Sequence, residues 1–202
     1  MKNMSRWAIL GLAIGGYGVM TSVNSDEGAG GPKARPHAPA STAAVSERST
    51  PGQNEWNRGR EPKDWWGEML RYHGHVGPWN VVGWRMGKAA LREFNAQWGD
   101  HTLDIVVHLP LTTPYTCIAD GLTVATGNSI GRLDIRLAEE LSSTTLHVSI
   151  RSKAQSGGPV LEFWPKPDYM LKIESRPASQ LEALARGCAE LDERELFEIR
   201  RR

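Results

Sequence analysis

The sequence predicts an α+β fold: a single compact domain with a mainly antiparallel sheet and packed helices, preceded by a disordered N-terminal linker. Three observations carry this. Helix-like and strand-like segments are partly segregated along residues 61–202. No repeating βαβ pattern and no glycine-rich phosphate fingerprint interrupts them. Ahead of them, residues 26–60 hold Pro32, Pro36, Pro39 and Pro51, and only Val45 and Trp56 as large apolar residues. Such a stretch buries too little surface to offset the entropy of ordering.

The first 25 residues read as an export signal or short anchor. Lys2 and Arg6 form a basic start, Ala8 to Met20 is uncharged and mostly apolar, and Val23-Asn24-Ser25 ends in small residues suited to cleavage. The apolar run falls short of the roughly 20 residues that span a bilayer. A cleaved signal places the chain in the periplasm or outside the cell. An uncleaved one tethers it to the membrane.

Residues 61–202 form the domain. Pro62 to Tyr72 has Trp65, Trp66, Met69 and Leu70 at helical spacing. Pro78 opens a longer helix, with Val82, Met86, Ala89, Ala90 and Phe94 on one face and Trp98-Gly99 as its stop. Leu103 to Leu109 is strand-like. Thr113-Pro114 predicts a helix start that runs to about Ala125 and stops at Gly127. Ile130 to Leu137, Thr144 to Arg151, Pro159 to Trp164 and Tyr169 to Glu174 predict strands. Ala178 to Leu191 and Glu193 to Arg201 predict helices.

The balance of 24 basic and 23 acidic residues leaves a formal charge of +1, so nucleic acid and anionic membrane surfaces are not expected partners. Two cysteines exclude a disulfide-dense scaffold and a four-cysteine zinc site.

The chemistry concentrates in two segments. In His73-Gly74-His75-Val76-Gly77-Pro78, two histidines two apart share one side of an extended segment that ends at a helix start. Unpaired N–H groups there favour neutral, ligating imidazole. The bland alternative is a pair of capping histidines. In Cys117-Ile118-Ala119-Asp120-Gly121, Cys117 and Asp120 share a helix face. A cysteine in the first turn is expected to favour thiolate; the alternative is a buried structural cysteine. A thiolate, imidazoles and a carboxylate suit zinc or a similar divalent metal.

Together the segments resemble the FmdE-like family, named for formylmethanofuran dehydrogenase. The first, followed by Gly83-Trp84-Arg85-Met86-Gly87, is similar to its entry motif. The second, followed by Thr126-Gly127-Asn128-Ser129-Ile130-Gly131, is similar to its second motif, and Glu193 to Ile199 adds a familiar close. The resemblance covers roughly residues 64–200. It implies an α+β core, a tendency to form homodimers, and a metal-binding or redox-associated cleft. On this reading His73, His75 and Cys117 are metal ligands, supported by Asp120, Arg85, Thr126, Gly127 and Arg132. Gly77 and Asn128 stand where many relatives have cysteine, which removes multi-thiolate chemistry. The activity of the parent complex is not transferred, because an exported lone domain lacks the molybdenum or tungsten partner proteins.

Two function classes stay open: a small exported metalloprotein, redox-associated or hydrolytic, and a non-catalytic dimeric module that holds an anion, cofactor or redox partner. Arg85 and Lys88 read as a solvated or site-rimming face, and Arg132 as a candidate anion contact. Trp79 and Trp84 read as core or pocket wall. His101, His108 and His147 show no metal-ligand spacing, and Cys117 with Cys188 is weighed as a disulfide.

Overall fold

In the computed structural model the described residues are 57–202, so the leader at 1–25 and most of the linker at 26–60 lie outside them. Residues 57–60 are part of the folded unit. Gly59 N–H donates to the Trp98 carbonyl at 2.6 Å, and Arg58 pairs with Asp100.

Two helices open the domain. Helix α1 is Trp65–His73, with the Asp64 carboxylate accepting from Gly67 N–H at its start. It ends at Gly74, whose φ of +92° is the left-handed cap that glycine adopts freely. Helix α2, Pro78–Glu93, starts on its proline. Strand β1, Leu103–Leu109, has the bounds its alternating pattern predicts. Helix α3 is Cys117–Thr126 and stops at Gly127 (φ +73°).

The rest of the chain departs more from expectation. Helix α3 starts after Pro114, because residues 114–119 first make i to i+3 bonds, such as Cys117 N–H to Pro114 O at 3.1 Å. Strand β2 is Ile135–Glu139, shorter than predicted, since Leu133 (φ +58°) still belongs to a turn. A 3-10 turn at Ser143–Thr145 leads into β3, His147–Ser152, and β4 is Leu161–Pro165.

The segment 169–174, predicted as a strand, lies in helix α4, Pro167–Glu174. Pro167 opens it, and Tyr169 and Ile173, one turn apart, are its buried residues. Helix α5 is Leu181–Glu190, behind a 3-10 turn at Ala178–Gln180. The predicted helix 193–201 is helical only at α6, Glu193–Leu196, where Asp192 and Glu195 cap each other's N–H groups. Phe197–Arg201 is strand β5. Its apolar Phe197 and Ile199 alternate with polar Glu198 and Arg200, and β4 offers it an open edge.

The sheet order is β2-β1-β3-β4-β5. Every pairing is antiparallel except β1 with β2, which α3 joins as one βαβ unit. The fold is therefore α+β with a mainly antiparallel sheet. Ile105, Val107, Val148, Ile150 and Phe163 line the inner face and share one fully buried cluster with Val82, Met86, Ile118 and Leu122. Each such side chain contributes about 1.5–3 kcal/mol on burial. Tyr169 donates its hydroxyl to the Pro78 carbonyl at 2.8 Å and so ties α4 to the start of α2.

Buried Asp134 collects three partners: Lys153 Nζ at 2.5 Å, His101 Nδ1 at 3.0 Å and Arg132 Nε at 3.3 Å. Burial pushes its carboxyl up. Hydrogen bonds from Lys153 and His101, with their charges, outweigh burial and hold it below the ordinary carboxylate value. A depressed folded value gives stability that is full above the unfolded value and is lost as pH falls through the folded one. Asp134→Asn is therefore expected to cost about 2 kcal/mol at pH 7, less than for a wholly buried pair because Lys153 and Arg132 are partly solvated. Urea melts should show that gap closing as pH drops below about 4. A gap that is constant from pH 7 to pH 3 would refute the assignment.

Candidate functional site

The two motifs meet because α2 and α3 touch backbone to backbone. A Cβ on Gly83 would sit 2.2 Å from the Ile118 carbonyl oxygen, and one on Gly121 would sit 2.2 Å from that of Asn80. No side chain fits between the helices there. That approach sets Cys117 and Asp120, on the first turn of α3, beside the 73–77 segment that leads from α1 into α2.

Asn80 joins the segments. It is fully buried. Its Oδ1 accepts from Gly77 N–H at 2.9 Å, and its Nδ2 donates to the Cys117 carbonyl at 3.2 Å. The sequence motifs alone do not single this residue out. Its one signal is an amide side chain three positions after Gly77, the position that reaches back to cap a helix start.

His73 is the most constrained of the predicted site residues. Its Nδ1 meets Asp120 Oδ2 at 2.6 Å, with the two side chains 14% and 29% exposed. Its Nε2 is buried and has no hydrogen-bond partner among the described residues. A carboxylate on one ring nitrogen fixes the tautomer and leaves the other nitrogen as the lone pair. His75 packs against it, the rings 4.6 Å apart and tilted by 50°. Burial above all lowers the His75 value, which favours the neutral ring.

Cys117 corrects one expectation. Burial, then the Asp120 charge, raises its thiol, and its own backbone N–H opposes this only weakly. The helix start therefore does not supply a thiolate here. Asp120 lies close enough to act on Cys117 and on His73. Among the described residues, however, no group of three or more His, Cys, Asp or Glu side chains is gathered to hold a metal ion.

The supporting residues separate from this centre. Arg85 Nη1 donates to the Ala189 and Leu191 carbonyls at 2.9 and 3.0 Å, and so fastens the end of α5. Thr126 is buried, donates to Leu122 O at 2.7 Å and accepts from Asn128 N–H. Gly127 forms the turn after α3, where a Cβ would meet Gly99 and Trp98. Arg132 belongs to the Asp134 cluster. These four residues shape the scaffold in this structure. Lys88 pairs with Glu61 at 2.7 Å. Trp79 packs in the core against Tyr115 and Tyr169, whereas Trp84 stacks on Trp65 with 4.2 Å between rings. Cys117 and Cys188 are both buried and free, so the disulfide weighed from sequence is not formed.

Among the described residues no helix is long and apolar enough to cross a membrane. A family model described as "FmdE, Molybdenum formylmethanofuran dehydrogenase operon" matches residues 72–197, a span that holds both motifs. No curated protein matches the chain.

Proposed function

The chain belongs to the FmdE family, and from that membership we propose that it is an exported, homodimeric metal-binding protein whose centre is His73. The observation that supports this is the buried, unpartnered Nε2 of His73 behind a 2.6 Å contact from Nδ1 to Asp120. Metal-bound histidines characteristically hold their second nitrogen against a carboxylate. An orphaned buried acceptor of this kind costs about 1–3 kcal/mol unless something completes it. Neutral His75 is the natural second ligand. Cys117 would complete the set by losing its proton to solvent as the metal binds, because a bound cation offsets both the burial and the Asp120 charge that now raise the thiol. Imidazole and thiol donors suit zinc. A bound zinc with an open position would polarise a ligand or activate water, and Asp120 would hold His73 in its ligating tautomer. The leader at residues 1–25 supports export to the periplasm or beyond.

A second reading is favoured by one observation. Without three gathered donors, the same His73 and His75 segment suits a non-catalytic module that holds an anion, cofactor or redox partner. Metal analysis of untagged full-length protein decides between them. About one zinc per chain, lost in His73→Ala, is expected. Metal-free protein that takes up no zinc on dialysis would leave the accessory reading.

A further inference from the structure

The sheet face away from the helices carries a low row of side chains between two tall ones. Val106 of β1 lies opposite Ser149 of β3, and this pair is the low row. Side chains two apart on a strand share a face. On one side of the pair, His108 and His147 stack their rings 4.2 Å apart. On the other side Asp104 lies opposite Arg151, and Arg136 of β2 stands beside Val106. Asp104, Val106, Arg136, Ser149, Arg151 and Val160 line a cavity of about 200 Å³ there. No sequence motif marks it, because strand register alone assembles it.

The charges leave guanidinium N–H groups uncommitted. Asp104 is 7% exposed at its side chain, and both arginines meet it from the solvent side, 46% and 62% exposed. Arg151 places Nε and Nη2 on one oxygen, Oδ2, each at 2.8 Å. Arg136 Nη2 lies 2.7 Å from Oδ1, yet Oδ1 has no hydrogen-bond partner among the described residues, so the Arg136 N–H bonds are not aimed at it. Arg136 does donate to the Leu133 carbonyl, at a long 3.5 Å. Two guanidinium groups against one carboxylate leave a positive field at the cavity. The other carboxylate on this row, Glu162 opposite Ser149, is already answered. It accepts from Trp164 Nε1 at 3.1 Å and pairs with Arg202 Nε at 3.1 Å.

We propose that this trough binds a small carboxylate with an apolar body, its carboxylate on Arg136 and Arg151 and its body over Val106 and Val160. Guanidinium groups recognise carboxylates through planar, paired N–H donors. Asp104 braces both arginines from behind, the support that such a contact needs. The half-buried valines offer apolar surface that a bare oxyanion could not use. The cavity is smaller than the roughly 300–1,000 Å³ of pockets for drug-sized ligands, so the body is limited to a single ring or a short branched chain. The site lies across the sheet from His73 and needs no metal.

The test is titration of sodium benzoate into isotope-labelled, untagged full-length protein at neutral pH, with backbone amide shifts read by NMR. A Kd of about 1–10 mM is expected for so small a ligand. The shifts should centre on β1 and β3. Benzamide has the same shape without the charge and should bind at least about tenfold more weakly. Arg151→Gln should weaken benzoate by at least about tenfold. Ser149→Phe keeps both ion pairs, fills the low row and should block binding, and it serves if Arg151→Gln fails to fold. Arg200→Gln, on the same face but held over the Trp164 ring, should change nothing. Benzoate affinity unchanged in Arg151→Gln and Ser149→Phe would overturn the site, as would shifts centred on His73. Inorganic phosphate binding as tightly as benzoate would overturn the assignment to a carboxylate with an apolar body.

Discussion

Gly121→Ala is expected to destabilise the domain by about 3 kcal/mol, and Gly83→Ala by a similar amount. The sign is informative. Replacing a helical glycine with alanine normally stabilises a helix by up to about 1 kcal/mol. Here the new methyl carbon would lie 2.2 Å from the Asn80 carbonyl oxygen and 2.7 Å from the Trp84 nitrogen. Both are backbone atoms, so no rotamer change relieves the clash. Either α2 and α3 separate, or the chain stays unfolded. Separation would also pull Asn80 from the Cys117 carbonyl and Asp120 from His73, so zinc binding should fall with stability. Gly131→Ala is the control. Nothing lies within 4 Å of its Cβ position, and its effect should stay within about 0.5 kcal/mol. Thermal melts should place Gly121→Ala about 6–12 °C below wild type. A Gly121→Ala protein as stable as wild type would show that the helices do not approach this closely.

The sequence announced some of this and concealed the rest, for physical reasons. Strand β1 was readable to its ends because Leu103, Ile105, Val107 and Leu109 alternate with residues facing the other way. Helix α2 announced itself by Pro78 and a long apolar face. Short apolar runs misled. Residues 169–174 satisfy both periods, and Pro167 was the cue that they are helical. Residues 197–201 look helical beside Glu193 and Glu195, but an open β4 edge decides for a strand, and no local pattern encodes that. The pairing of His73 with Asp120 followed from reading the two motifs together. The missing thiolate could not be read, because burial depth and the distance to Asp120 are properties of the packed chain. Asn80 was visible only as a capping position. The stacking of His108 on His147, with 4.2 Å between ring centroids, was invisible, since it exists through the register of β1 on β3 alone.

Replacing His73 with alanine is expected to lower zinc affinity more than about 100-fold, and the way the neighbouring variants fall away from that limit reports the donor set. Asp120→Asn keeps the ring but replaces the carboxylate that fixes its tautomer, and should cost about 10–100-fold. His75→Ala removes a ligand already neutral at pH 7, so its loss should be similar at every pH from about 7 to 9. Cys117→Ser should differ. The Cys117 thiol sits above its ordinary value, so the metal must displace a proton to bind it. Each unit of rising pH below that value should then improve wild-type affinity by about tenfold, since one proton is released per ion bound. Serine releases no proton in this range, so its affinity should be lower and its pH profile flat. Zinc titrations of the wild type and Cys117→Ser between about pH 7 and 9 separate the cases. Parallel profiles would remove Cys117 from the shell and leave the two histidines as its protein ligands. A Cys117→Ser profile that is flat beside a rising wild type would place the sulfur on the metal, and with it the third donor that the buried thiol holds in reserve.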